Sequence, residues 1–266
     1  MRAPVLARAI GDRRRSMLWW SVGVAAYVVL IVAVYPSVRD ASGMEELLDQ
    51  YPESLRAMMG IGDIDLGSGA GYLAAELFGF MVPLFVVILA VGGGADAVAG
   101  AEERGALDLL LSHPVARRAV MLQHGAVVAL QSLTLGLVVT FVLLLAEPVV
   151  DLELSFVNLV GTVLGVVLLG VLFGWTALAL GAALGSKGLA LGVSSALVAA
   201  AYVAATLPEL VDGLEPLRWV SPYWYGTGGT PIASGPTWWY ALVLAGAAVT
   251  VLAAGIAAFT RRDLAR

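Results

Sequence analysis

Six apolar runs, each about as long as a lipid bilayer is thick, constrain this chain more than any other feature. They lie at about 17–36, 73–95, 121–146, 157–184, 188–208 and 238–259, and each reaches the roughly 20 residues that a helix needs to cross the hydrocarbon layer. Lipid donates and accepts no hydrogen bonds, so a chain that enters it as such runs must satisfy its backbone within helices. The fold class is therefore an all-α polytopic membrane protein, with residues 1–266 forming a single transmembrane domain of six helices. A hydrophobic fraction of 60%, a charged fraction of 13% and a mean hydropathy of +0.89 exclude an ordinary soluble domain. The absence of cysteine excludes disulfides and Cys-based metal or redox centres.

The polar segments between the runs are uneven. Residues 1–16 carry Arg2, Arg8, Arg13, Arg14 and Arg15, with Leu6 and Ile10 on another helical face. This pattern predicts an interfacial helix lying on the membrane before the chain turns in at Trp19 and Trp20. A cleaved signal peptide would have a shorter apolar core and a small-residue cleavage site, so the first run reads as a retained span. Residues 37–72 are acidic and place Met44, Leu47, Leu48, Tyr51, Leu55, Met58 and Met59 near helical spacing. They predict an external loop of one or two amphipathic helices, broken near Pro52. Residues 209–237 form a second external loop whose Trp219, Tyr223, Trp224 and Tyr225, followed by Trp238 and Trp239, have the composition of an interfacial belt.

Twelve of the fifteen Lys and Arg residues fall on one side of this topology, with Arg39, Arg56 and Arg218 on the other. The positive-inside rule then places both termini in the cytoplasm and the protein in the cell membrane. On the same side lie residues 96–118, DAVAGAEERGALDLLLSHPVARR. Asp96, Glu102, Glu103, Arg104 and Asp108 hold this stretch out of the hydrocarbon, where each charge would cost roughly 2.5–3.5 kcal/mol. Leu107, Leu110 and Leu111 nevertheless recur at helical spacing, which predicts a short amphipathic helix with an apolar stripe that needs a partner. The other internal cytoplasmic connection, residues 185–188, is too short to offer such a surface.

Few residues in the spans suggest chemistry. Gly92 to Ala97 imitates a dinucleotide fingerprint but follows a twenty-residue run instead of a short strand. Gly181 to Gly188 imitates a phosphate loop without its Gly-Lys-Ser/Thr ending, so the chain has no ATPase site of its own. Glu102, Glu103, His113 and His124 raise the alternative of an intramembrane metal-dependent hydrolase, yet no HExxH arrangement exists. A non-transporting membrane anchor or immunity protein is a third class. Gln131, Ser194 and Ser195 are the conspicuous polar groups within spans, suited to a pore lining or to interhelical hydrogen bonds. The ionisable Glu76 and His124 are expected near span ends. With no charge expected at mid-membrane, an ion-coupled carrier is disfavoured and the cargo is expected to be apolar or amphipathic. Glycines four apart, Gly161/Gly165, Gly170/Gly174, Gly181/Gly185 and Gly188/Gly192, predict close helix approach within one subunit or at a dimer seam.

Residues 99–117, AGAEERGALDLLLSHPVAR, resemble the pattern E-E-x-G-T-L-x-L-L-L-S-x-P-V-S-R that follows the second span of type-2 ABC exporter permeases. The match runs through Glu102, Glu103, Gly105, Leu107, Leu109 to Ser112, Pro114, Val115 and Arg117. Ala106 and Ala116 depart from the usual Thr and Ser, and His124 stands where a Lys is common. The resemblance implies a transport subunit, not an enzyme, that pairs with a second permease copy or homologue and with separate ABC ATP-binding subunits. ATP and Mg would belong to those subunits, and this chain would hold no cofactor and no nucleic acid. It further implies that residues 1–16 form an elbow helix and that the 96–120 loop holds a coupling helix. The ATPase-docking set would be Glu102, Glu103, Arg104, Gly105, Leu107, Leu110, Leu111, Pro114 and Arg117, with spans two and five lining the pore.

Overall fold

The computed structural model describes residues 3–39, 67–105, 116–211 and 213–262. Of these, 87% are helical and none lies in a strand, so the all-α expectation holds. The amphipathic helices expected within 40–66 and the Leu stripe at 107–111 lie outside the described residues. The long helices are α1 (Ala3–Arg39), α2 (Gly69–Glu103), α3 (Arg117–Val150), α4 (Phe156–Leu184) and α5 (Lys187–Thr206). Three short helices come next, α6 (Glu215–Arg218), α7 (Pro222–Thr227) and α8 (Pro231–Ser234), before α9 (Trp238–Arg261). Six of these helices, α1 from Arg14 onward together with α2, α3, α4, α5 and α9, are long and apolar enough to cross a membrane.

The helices exceed the apolar runs because hydropathy marks only the part that suits hydrocarbon. The second span, expected at 73–95, is helical from Gly69 to Glu103, and the third extends from Arg117 to Val150. The leader differs in kind. Residues 3–16 and the first span form one 37-residue helix, so the expected elbow is not a separate element. Nothing between Arg13 and Trp20 stops helix propagation, and Pro4 sits in the first turn, where its missing N–H costs little.

α4 is the centre of the bundle, with α2, α3, α5 and α9 packed around it. Its most apolar window is 61% buried, against 17% for α1, 22% for α5 and 28% for α9. Between helices in lipid, hydrophobic burial drives little, so closeness of packing sets the contact. A methyl group on Gly94 would fall 2.0 Å from the Gly174 carbonyl oxygen, so α2 and α4 touch backbone to backbone there. Gly161, Gly165, Gly170 and Gly181 of α4 are likewise covered within the chain. Gly188 and Gly192 of α5 face open space.

α2 is the irregular helix. It contains two five-residue π turns, Ala74–Phe78 and Asp96–Gly100, and breaks at Gly79 and Phe80. Pro83 explains the break, since it supplies no N–H to the Gly79 carbonyl four residues earlier. The Tyr223 hydroxyl of α7 donates to that carbonyl at 3.0 Å. Around it, the Tyr202 ring packs on Phe80 at 5.1 Å and on Tyr223 at 5.1 Å. At the same end of the bundle, Trp219, Tyr225, Trp239 and Tyr240, which composition singled out for an interfacial belt, pack ring against ring.

Candidate functional site

The opposite, basic end of the bundle gathers charged groups from four helix ends and a backbone carbonyl from a fifth. The Asp96 carboxylate, at the start of the second π turn, accepts from Arg104 at 2.9 Å and from the Lys187 ammonium at 2.8 Å. A π turn shifts the register of the turns after it by about one residue, and beyond it Glu102 and Glu103 reach different partners. Glu103 accepts the backbone N–H of Lys187 at 2.8 Å, satisfying a donor in the first turn of α5. Glu102 makes a two-pronged pair with the Arg262 guanidinium at 2.7 and 2.9 Å. That guanidinium also donates to the Ala182 carbonyl at the C-terminal turn of α4, at 3.2 Å, where the helix dipole favours a cation.

Arg117, the first residue of α3, completes the cluster. Its guanidinium donates to the Phe259 carbonyl at 3.0 Å and to the Arg262 carbonyl, and lies 5.6 Å from the centre of the Phe259 ring. The Glu102 and Arg262 side chains are only 27% and 23% exposed. A bidentate, charge-assisted pair at that exposure holds more firmly than a solvated surface pair. α2, α3, α4, α5 and α9 are thus tied together at one end, on both sides of residues 106–115.

The expected site residues therefore separate into groups. Glu102, Glu103, Arg104 and Arg117 come together, through partners that the docking motif did not contain, namely Asp96, Lys187 and Arg262. Gly105 acts locally. At φ +68° it takes the left-handed conformation that ends α2, with its N–H on the Glu102 carbonyl at 2.9 Å. Leu107, Leu110, Leu111 and Pro114 lie outside the described residues. Gln131 is buried in α3. Ser194 is buried in α5, its hydroxyl without a partner among the described residues, whereas its neighbour Ser195 faces outward. Among the described residues, no three His, Asp or Glu converge as metal ligands.

Six long apolar helices, one of them glycine-rich and central, clasped by charge at one end, define a multi-pass α-helical membrane protein. Residues 3–264 match the family model described as ABC-2 family transporter protein. The chain belongs to that family, whose members are membrane components of ABC transporters. No curated protein matches it.

Proposed function

We propose that the chain is the permease subunit of an ATP-driven exporter of an apolar or amphipathic substrate. Separate ATP-binding subunits, which hold the ATP and Mg, dock on residues 96–118. The observation that carries this reading is the charged cluster at the basic end. It brackets residues 106–115 through Glu102 to Arg104 on one side and Arg117 on the other, and it reaches the ends of α4, α5 and α9. A push on the bracketed segment is then passed to five helices together as rigid-body motion, not to α2 and α3 alone. The count of Lys and Arg puts this end in the cytoplasm and the aromatic belt outside the cell. The open Gly188 and Gly192 face of α5 suits a second permease copy or homologue, because small residues let helices approach closely.

Two measurements test the reading. Purification of the permease in mild detergent is expected to retain an ABC ATPase chain. In reconstituted vesicles Leu110→Asp is expected to reduce transport to background and to remove the link between transport and ATP hydrolysis, with membrane insertion unchanged. Unimpaired transport by this variant, or the lack of any associated ATPase, overturns the proposal.

A further inference from the structure

The guanidinium of Arg218 is held by rings and not by a carboxylate. It closes α6 at the aromatic end of the bundle, its central carbon 5.1 Å from the centre of the Trp219 ring and 5.1 Å from that of Trp224. Glu215, one turn earlier in the same helix, accepts the Gly213 N–H at 3.4 Å instead. Among the described residues no acid pairs with Arg218. Its Nε is buried, and neither that atom nor the buried Trp224 Nε1 has an acceptor among the described residues. The two terminal nitrogens of the guanidinium stay open to the surroundings, and no described residue accepts from them. The cluster thus holds donors and ring faces, and its one free edge is a planar N–H fork.

The depth of this fork follows from α9. Trp219 stacks on Trp239, with ring centres 6.4 Å and planes 17° apart. Trp239 is the second residue of α9, whose 24 residues extend about 36 Å to Arg261 at the basic end. The hydrocarbon layer is about 30 Å thick, so Arg218 stands at its edge, level with lipid headgroups. The flanking Leu217, Trp219 and Val220 are 36%, 44% and 78% exposed, an apolar and aromatic surface suited to that boundary. A cation at such an edge is tolerated without any partner, and what distinguishes Arg218 is that it is fixed. A solvated arginine loses rotamer freedom when it binds an anion, whereas one already held against two indoles loses less. The two open nitrogens match two oxygens of a phosphate in a bidentate, charge-assisted pair.

We propose that Arg218, oriented by Trp219 and Trp224, binds the phosphate of an anionic phospholipid in the leaflet at the aromatic end. A zwitterionic lipid carries its own cation beside the phosphate and gains less from the guanidinium. The site also touches the bundle, because the Ser221 N–H donates to the Arg218 carbonyl at 3.1 Å and Ser221 caps α7, which carries Tyr223. It goes beyond the exporter reading and does not depend on it. Native mass spectrometry of the full-length permease in neutral detergent measures the binding of added phosphatidylglycerol, phosphatidylcholine and soluble glycerol 3-phosphate. Saturable binding of phosphatidylglycerol is expected, about tenfold tighter than that of phosphatidylcholine, with none of glycerol 3-phosphate at the same concentrations. Arg218→Gln is expected to weaken phosphatidylglycerol binding by about tenfold, and Arg218→Lys by several-fold because an ammonium lacks the fork. Arg39→Gln, at the same end of the bundle, should leave it unchanged. Should Arg218→Gln fail to yield a monodisperse protein, Trp219→Leu is expected to weaken binding by roughly threefold through loss of a ring face. Equal affinity for the two lipids, full retention in any of the Arg218 and Trp219 variants, or an equal loss in Arg39→Gln overturns the site. Binding of glycerol 3-phosphate as tight as that of the lipid overturns it too, since the ligand is then a free anion.

Discussion

Glu102 and Glu103 are adjacent in sequence yet hold different helices: the first anchors the chain end beyond α9 through Arg262, the second the first turn of α5 through its backbone. A charge change at either position therefore acts on the packing of the bundle end as well as on any docking surface. Glu102→Arg is expected to lower the thermal midpoint of the detergent-solubilised protein, because it leaves Arg262 unpaired and faces it with a like charge. Adding Arg262→Glu should restore much of the loss, with a coupling of about 1–3 kcal/mol in the double-mutant cycle. Additive losses would show that the pair contributes nothing. The docking motif singled out Glu102, Glu103, Arg104 and Arg117 as functional positions. Their partners were not legible, because Lys187 lies 84 residues from Glu103 and Arg262 lies 160 residues from Glu102.

Among the elements, α2 departs furthest from an ideal span, and each departure has a local cause. Pro83 removes the donor that Gly79 would otherwise meet, and the Tyr223 hydroxyl replaces it. Tyr223→Phe is expected to cost about 1–3 kcal/mol by leaving a carbonyl without a partner inside the bundle. In the Pro83→Ala background the same change should cost less, since the helix regains its own donor. Thermal unfolding of the four proteins in detergent measures both costs, and equal losses in the two backgrounds would show that the hydroxyl does not substitute for the missing N–H. The sequence contains Pro83, but nothing in it points to Tyr223, 144 residues beyond Gly79, as the replacement donor. The same limit applies to the leader, where charge and a Trp pair suggested a separate interfacial helix. Continuity of α1 comes from the lack of any helix stop between Arg13 and Trp20.

On the scale of the whole molecule, sidedness is open to direct measurement because the chain has no cysteine. A single cysteine at exposed Arg118, at the basic end, is expected to react with a membrane-impermeant maleimide only after cells are opened. One at Val220, 78% exposed at the aromatic end, should react in intact cells. The reverse pattern would invert the assigned orientation and move the docking segment outside the cell. The number of long apolar helices and their all-α character were determined by the sequence alone. Hydropathy over about twenty residues is a local property, and lipid leaves the backbone few alternatives. The family resemblance was equally local, carried by residues 99–117. Only the tertiary structure decided that α4 is central, that Gly94 meets Gly174 while Gly188 and Gly192 stay open, and that Tyr27, Tyr35 and Tyr72 set the register of α1 against α2. Those features depend on the register and rotation of one helix against another. In a membrane such relations are set by interhelical contacts, between residues that composition and spacing do not bring together.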